Sequence, residues 1–224
     1  MNNNIRIDRR YRGPQGSANG GFAAGLLASF LDGPAQVTLR LPPPLERELA
    51  VRRRGGVTLL LDGEDVVAEA VPATVAIEVP VPPSLEEAAL ASARYAPIGP
   101  ETFRGCFSCG AIREEGDGLR ILPGRVSSRF LVAAPWVARE PSPPVVWAAI
   151  DCSGAYAVAS EGRGDAVLGR MAARLGRLPR EGERCVVVGW PREENGRKLH
   201  AGTALFTAEG ELLAVAEQTW IAPK

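Results

Sequence analysis

The sequence predicts an α+β protein of two similar halves, each packing one buried helix on an antiparallel sheet. The first observation is an internal repeat: the Gly-Gly-Phe-Ala of residues 20–23 aligns with the Gly-Ala-Tyr-Ala of residues 154–157, and the Gly-Val-Thr-Leu-Leu of residues 56–60 aligns with the Gly-Thr-Ala-Leu-Phe of residues 202–206. The second is that each half has a glycine-rich apolar stretch followed by several strand-like segments. A repeat this long exceeds the roughly 20 to 50 residues of a solenoid unit. We therefore expect two small folds fused in one chain and packed face to face like a homodimer.

Composition sets limits on the partners. The 224 residues are 46% hydrophobic, enough for a sizeable core, and 26 basic residues balance 26 acidic ones. This balance gives no basic surface for nucleic acid or for an anionic membrane. The longest apolar run, residues 22–31, is too short to span a bilayer. The first six residues lack the apolar stretch of a signal peptide, so we expect a cytoplasmic protein with reduced thiols. The oligomeric state stays open, a homo-oligomer included.

In the first half, the nearly all-apolar residues 18–31 predict a helix that is buried on most sides. Three glycines within it, Gly20, Gly21 and Gly25, indicate a close approach of another backbone. Ser84 and Glu87 form a capping box that predicts a second helix, ending at about residue 95. We place the domain boundary there, which gives an N-terminal unit of residues 1–95 and a C-terminal unit of residues 96–224. Strands are predicted at residues 5–12, 36–41, 48–54, 57–61, 66–72 and 74–79.

The second half starts with an irregular loop at residues 96–118 and then repeats the pattern of the first. Residues 145–159 predict the counterpart of the first apolar helix, preceded by two prolines. Gly55-Gly56 in the first half and Asn195-Gly196 in the second are tight-turn signals between strands. The further predicted strands are residues 118–122, 129–133, 167–175, 184–190, 201–207 and 212–221.

Three segments resemble the double hotdog acyl-CoA thioesterase superfamily, in its thioesterase II-like branch. Residues 19–27 (Asn-Gly-Gly-Phe-Ala-Ala-Gly-Leu-Leu) are similar to the start of its first helix, and residues 147–151 (Trp-Ala-Ala-Ile-Asp) to the start of its second. Residues 212–220 (Leu-Leu-Ala-Val-Ala-Glu-Gln-Thr-Trp) are similar to its last strand. The resemblance implies a double hotdog fold of two fused helix-on-sheet units, and hydrolysis of an acyl-CoA or related thioester without a cofactor.

Asp151 and Gln218 are the candidate catalytic residues. Asp151 follows an apolar run, where a carboxylate is costly unless it is paired or protonated; a helix-capping or turn role is the alternative. Gln218 lies on an apolar strand, where a buried amide needs hydrogen-bond partners; the alternative is a residue facing outward. The aligned positions of the first half are Ser17 and Pro72. Both candidates therefore occur once, which favours a single site.

The resemblance also implies a role for each residue. Asp151 would be the general base that activates a water, and Gln218 would orient that water. Asn19, Gly20 and Gly21 would bind the substrate, with the two glycine N–H groups at a helix start stabilising the oxyanion. The family's hydroxyl residue, on the strand after the second helix, aligns with residues 168–169, which are Leu and Gly. A non-catalytic protein that binds an acyl or other hydrophobic ligand therefore stays open.

Cys106 and Cys109 form the one C-x-x-C pair in the sequence. A structural zinc needs four ligands, and the remaining Cys152, Cys185 and His200 lie far along the chain. We therefore expect a packed or lid-like loop without a metal. A zinc-stabilised interaction module is the third function class that the sequence leaves open.

Overall fold

The computed structural model describes residues 3–14, 16–127, 129–159 and 165–223. In this part of the chain, eleven strands form a single antiparallel sheet. The strands are β1 (Asn3–Arg6), β2 (Ala35–Leu39), β3 (Glu48–Arg54), β4 (Val57–Asp62), β5 (Asp65–Pro72), β6 (Gly124–Arg125), β7 (Val132–Val137), β8 (Val167–Leu175), β9 (Arg184–Asn195), β10 (Lys198–Thr207) and β11 (Leu212–Ile221).

The described residues also form four helices and two short 3-10 turns, Arg9–Tyr11 and Glu101–Gly105. Helix α1 contacts β2 and β5 in the first half, and α4 contacts β9 and β10 in the second. The predicted α+β class is confirmed. No helix of the described residues is long and apolar enough to cross a membrane. The helices are α1 (Gly20–Ala28), α2 (Leu85–Ser92), α3 (Pro143–Ala149) and α4 (Cys152–Val158).

The strand order is symmetric about the centre of the sheet. From the centre outward, one side runs β2, β5, β4, β3, β1 and the other runs β8, β11, β10, β9, β7, with the two-residue β6 added at its edge. The two central strands, β2 and β8, pair antiparallel and join the halves, with Val37 opposite Met171. In each half, an apolar helix precedes the central strand, α1 before β2 and α4 before β8. Counted from the centre, each strand of the first half therefore occupies the same position as the strand with the same rank in the second half: β1 to β5 correspond to β7 to β11.

Helices α1 and α3 pack closely because two positions of α1 are glycine. A Cβ on Gly21 would lie 2.7 Å from the carbonyl oxygen of Trp147, and a Cβ on Gly25 would lie 2.7 Å from the Cβ of the same tryptophan. Both distances are shorter than any van der Waals contact, so only glycine fits. Trp147 itself is 3% exposed. The glycines predicted to permit a close backbone approach therefore bring the helix of one half against the helix of the other.

The predicted helix at residues 145–159 is not continuous. It is two helices, α3 and α4, separated at Ile150 and Asp151. The N–H of Asp151 donates to the carbonyl of Ala148 at 3.2 Å, which closes a tight turn. The carbonyl of Ile150 accepts from the side chain of Gln218 instead of continuing a helix. The first predicted helix is also shorter than the expected residues 18–31: α1 begins at Gly20 and ends at Ala28.

Several predicted strands differ from the structure in the loops around the sheet. Residues 74–79 have no regular structure, and prolines at 72, 80, 82 and 83 lie on either side of them. Residues 118–122 also lie outside the sheet strands, and the strand expected at 129–133 is β7, which begins at 132. The stretch 5–12 divides into the end of β1 and a 3-10 turn. The turns at Gly55-Gly56 and Asn195-Gly196 are confirmed.

Helix α2 packs on strands of the second half. Ala88 and Ala91 of α2 are buried with Val126, Leu131 and Val186 in a small cluster beneath β6 and β7. Its capping box is present, with Ser84 and Glu87 bonded reciprocally. The domain boundary after residue 95 stays a prediction, and the helix placed before it lies against the other unit.

Candidate active site

A cavity of about 390 Å³ opens where the start of α1 meets the start of α4. This volume falls within the range of roughly 300–1,000 Å³ typical of small-molecule sites. Among the described lining residues, Asp151 is the one carboxylate, and most of the others are apolar. The polar and sulfur-bearing members are Ser17, Asn19, Arg40, Cys106, Cys109, Asp151, Cys152, Tyr156 and Trp220.

Asp151 lies at the break between α3 and α4 and is 2% exposed. Its Oδ2 accepts hydrogen bonds from the Gly21 N–H at 3.0 Å and from the Asn19 Nδ2 at 2.9 Å. Its Oδ1 is buried without a partner among the described residues. The start of α1 therefore points at the carboxylate, and the helix dipole favours its negative charge. The predicted burial of Asp151 is confirmed, and its side chain makes no capping hydrogen bond to α4, the helix that it precedes.

Asn19 holds this arrangement in place. Its Oδ1 accepts from the N–H of Phe22 at 2.8 Å, which makes Asn19 the N-cap of α1. The same side chain donates through Nδ2 to Asp151, so one amide caps the helix of the first half and binds the carboxylate of the second. The sequence motif identified Asn19, whereas this double role needs the fold of both halves.

Burial raises the pKa of Asp151 to about 7, with a smaller contribution from the charge of Cys106. The hydrogen bonds from Gly21 and Asn19 act in the opposite direction and hold the pKa down. Near neutral pH the carboxyl is therefore present in both protonation states. A pKa close to the working pH suits a group that accepts and returns a proton.

The two predicted oxyanion donors, Gly20 and Gly21, differ in the structure. The Gly21 N–H is bonded to Asp151, so it is already occupied when the carboxyl is ionised. Gly20 lines the cavity, and its N–H has no hydrogen-bond partner among the described residues. Of the predicted pair, Gly20 is the donor that is free for a ligand.

Gln218 is buried on β11, so the alternative of an outward-facing residue is wrong. Its Nε2 donates to the Ile150 carbonyl at 2.8 Å and to Thr203 Oγ1 at 3.2 Å, and its Oε1 accepts from Trp220 Nε1 at 2.8 Å. Gln218 does not line the cavity and makes no direct hydrogen bond to Asp151. The two side chains are therefore not directly hydrogen-bonded, and an approach through one water stays a prediction. Gln218 instead holds the carbonyl of the residue before Asp151.

Residues 168 and 169 lie where the family resemblance expects a hydroxyl. Leu168 and Gly169 both line the cavity and offer no polar side chain there. The hydroxyls of Ser17 and Tyr156 are the ones in the described lining. Tyr156 is engaged with Tyr95, at 2.8 Å between the two oxygens, and Ser17 donates to the carbonyl of Pro14. The hydroxyl that the resemblance leads us to expect is therefore absent at residues 168 and 169, and the two hydroxyls of the described lining are bonded elsewhere.

The fold brings a third cysteine to Cys106 and Cys109, which the distances along the chain did not predict. Cys152, the first residue of α4, lies beside them, with 3.7 Å between its sulfur and that of Cys106. The three sulfur atoms all lie within 4.8 Å of one another. Cys185 and His200 lie elsewhere, on β9 and β10. The break before α4 brings together thiols that are 46 residues apart in the sequence.

The three thiols have different acidities. Hydrogen bonds from Cys109 and Cys152 hold the pKa of the Cys106 thiol well below its usual range. The pKa values of Cys109 and Cys152 are raised, each chiefly by its hydrogen bond to Cys106. Asn19 Nδ2 also lies 3.5 Å from the Cys106 sulfur. Sequence reasoning placed these cysteines in a loop, and it missed that they line the same cavity as Asp151.

No family model matches the sequence, and no curated protein matches it. Solved structures do resemble the fold. A candidate thioesterase from Novosphingobium aromaticivorans is 12% identical, with a TM-score of 0.68 over 100% of this chain and 96% of that one. A hotdog-fold protein of unknown function from Alicyclobacillus acidocaldarius is 10% identical, with a TM-score of 0.63 over 100% and 93%. An acyl-CoA thioesterase II from Mycobacterium marinum is 12% identical, with a TM-score of 0.58 over 99% and 93%.

These likenesses establish the fold of the chain. It is an α+β hotdog fold, and the resemblance to thioesterase II-like proteins expected from the sequence is confirmed at that level.

Proposed function

We propose that this protein hydrolyses an acyl-CoA or a related thioester at one site, with Asp151 as the general base. The observation that carries the proposal is the state of Asp151: a buried carboxylate in a largely apolar cavity, with one oxygen bound to the start of α1 and the other without a partner among the described residues. An unpartnered buried polar atom is costly. A water or a substrate group at Oδ1 would remove that cost.

The arrangement supports a hydrolysis in two steps. Asp151 takes a proton from water while the water oxygen bonds to the thioester carbonyl carbon. The oxyanion accepts from the Gly20 N–H and lies near the positive end of α1. When the intermediate collapses, the carbon–sulfur bond breaks and the thiolate takes the proton back from Asp151. The products are a carboxylic acid and a thiol.

Gln218 acts as a positioning residue in this proposal. Its hydrogen bond to the Ile150 carbonyl fixes the backbone directly before Asp151. Gly154 leaves room for the amide, since a Cβ there would lie 1.7 Å from Gln218 Oε1. Gln218 therefore supports the direction of the Asp151 side chain without touching the substrate.

The wider architecture fits a double hotdog that arose by duplication, with units of residues 1–95 and 96–224. The mirrored strand order and the internal repeat both support this interpretation. The similarity to the acyl-CoA thioesterase II of Mycobacterium marinum supports a thioester as the substrate class. The Asp151 of one unit and the Asn19 of the other would then complete a single site at the interface between the units.

A second candidate function is the binding of an acyl or other hydrophobic ligand without turnover. It is favoured by Leu168 and Gly169, which line the cavity at the position of the family's hydroxyl.

The test is thiol release from a panel of acyl-CoAs by the full chain. We expect turnover with at least one chain length. Asp151→Asn keeps the side-chain shape but removes the base, so kcat should fall by about 10²-fold or more, in line with general base catalysis.

Gln218→Ala should lower kcat with little change in KM. Gln218→Asn keeps an amide at this position, so its kcat should lie between those of Gln218→Ala and the unaltered chain. The matched control is Asp65→Asn, an exposed carboxylate on β5. Tight binding of acyl-CoA without turnover would establish the second candidate function instead.

A further inference from the structure

Three thiols meet at one wall of the cavity, and nothing in the proposed hydrolysis uses them. Cys106 and Cys109 come from one tight loop, and Cys152 comes from the start of α4. All three are buried and line the cavity. We propose that Cys106, Cys109 and Cys152 bind one thiophilic metal ion of the Zn²⁺ class, with the fourth coordination position open to the cavity.

The spacing of the sulfur atoms fits tetrahedral thiolate coordination. At a Zn–S bond length of about 2.3 Å, two sulfurs of a tetrahedral site lie about 3.8 Å apart. Cys106 and Cys152 are 3.7 Å apart, and every pair lies within 4.8 Å. A disulfide requires about 2.05 Å between the sulfurs. The distances between the sulfur atoms are therefore already close to those of a metal site, and ligation requires only a small movement of the Cys109 thiol.

The loop is shaped to present both of its thiols on one side. The Gly110 N–H donates to the Cys106 carbonyl at 2.9 Å, and a Cβ on Gly110 would lie 2.4 Å from that oxygen. Only glycine allows so tight a turn. The C-x-x-C spacing within the turn is the one that zinc sites commonly use for a ligand pair.

Groups next to the thiols make hydrogen bonds to the two cysteines of the loop. In metal sites, hydrogen bonds from neighbouring groups fix the orientation of the ligands in this way. Asn19 Nδ2 points at the Cys106 sulfur from 3.5 Å, and the Tyr95 hydroxyl donates to the Cys109 carbonyl at 3.3 Å. Three protein ligands and one open position are the pattern of a zinc site that exchanges its fourth ligand. Here that position would face water or a ligand in the cavity, next to Asp151.

The experiment is a metal titration of the full chain, reduced and stripped by a chelator under anaerobic conditions. Co²⁺ and Cd²⁺ serve as probes, because their thiolate complexes absorb light, and Zn²⁺ competes with them. We expect one ion per chain, with the charge-transfer intensity of three thiolates, and displacement of Co²⁺ by Zn²⁺. Cys106→Ser, Cys109→Ser and Cys152→Ser should each weaken binding by at least about 10-fold, since each removes a ligand.

Cys185→Ser is the matched control, because Cys185 is fully buried on β9 outside the cluster. It should bind as tightly as the unaltered chain. If a serine variant fails to fold, the thiolate count from the unaltered chain still decides the question. The proposal is overturned if the reduced chain binds no ion at one per chain, if Cys185→Ser loses binding to the same extent, or if a Cys106–Cys152 disulfide persists in reducing buffer. The result does not depend on whether the chain hydrolyses thioesters.

Discussion

Gly21 determines how closely Asp151 approaches helix α1. A Cβ at this position would lie 2.5 Å from the Cβ of Asp151 and 2.7 Å from the Trp147 carbonyl oxygen. Neither neighbour can move away without a shift of the α3–α4 break. The absence of a side chain at residue 21 therefore makes the 3.0 Å hydrogen bond from its N–H to the carboxylate possible.

We expect Gly21→Ala to destabilise the protein and to impair the site. Alanine normally favours a helix by about 1 kcal/mol over glycine, but the clash with two fixed neighbours is larger and decides the sign. The free energy of unfolding should fall by about 1–3 kcal/mol, as for overpacked cores, and thioester turnover should fall at least about 10-fold. Urea denaturation and steady-state kinetics measure the two effects.

Gly176→Ala is the control for this change, because the nearest atom to its new Cβ lies 3.4 Å away, in ordinary contact. Unchanged stability and turnover in Gly21→Ala would contradict the close approach of Asp151 to α1.

At this scale, the sequence identified the carboxylate but not its surroundings. The apolar run before Asp151 was enough to predict its burial. Residues 19–21 were assigned to the substrate, whereas Asn19 and Gly21 bind this carboxylate in the structure. The place of Cys152 beside Cys106 could not be predicted, since 46 residues separate them and only the folded chain brings them together. The partners of Gln218 were hidden for the same reason, because Ile150 is 68 residues away.

Among the elements, the break between α3 and α4 is the one that creates the site. Residues 145–159 are mostly apolar, and Asp151, Ser153 and Gly154 are the local features at the interruption. The amide of Gln218, on β11, binds the Ile150 carbonyl at this point. Long apolar elements such as α1 and β11 were predictable from their own residues. The strand predicted at residues 74–79 is wrong, since this segment has no regular structure.

An ion-pair network ties the connection before β9 to the turn before β11. Arg177 donates to both oxygens of Glu183, at 2.9 and 2.7 Å, and also to Glu211. The hydrogen bonds from Arg177, with one from the Arg180 N–H, lower the pKa of Glu183 to about 2 from its ordinary 4.5. The folded protein therefore holds this carboxyl ionised at pH values where the unfolded chain protonates it.

This lowered pKa predicts a pH dependence of stability. Because the unfolded chain binds the proton first, the contribution of Glu183 is complete above about pH 4.5 and is lost as the pH falls toward about 2. We expect Glu183→Gln to reduce the slope of unfolding free energy against pH in that window. Chemical denaturation at a series of acidic pH values measures it. Glu64→Gln, an exposed carboxylate in the β4–β5 turn, is the control; equal slopes for Glu183→Gln and the unaltered chain would contradict the prediction.

The single sheet of the molecule depends on the pairing of β2 with β8, which joins the two halves. The internal repeat predicted two similar halves, and the strand order is symmetric about the β2–β8 pair. The repeat could not predict how the halves contact each other, because that depends on Gly21 and Gly25 of α1 meeting Trp147 of α3. The cavity is lined by residues of both halves, with Asn19 and Gly20 from the first and Asp151 from the second.

The most direct test of this account is a crystal structure of the chain with a non-hydrolysable acyl-CoA analogue, such as a thioether ketone. We expect one analogue per chain, with the acyl group in the cavity beside Leu168. The carbonyl oxygen should lie within hydrogen-bond distance of the Gly20 N–H, and the Asp151 carboxylate should face the carbonyl carbon, with room for one water. An analogue bound outside this cavity, or with its carbonyl directed away from both Gly20 and Asp151, would contradict the proposed site.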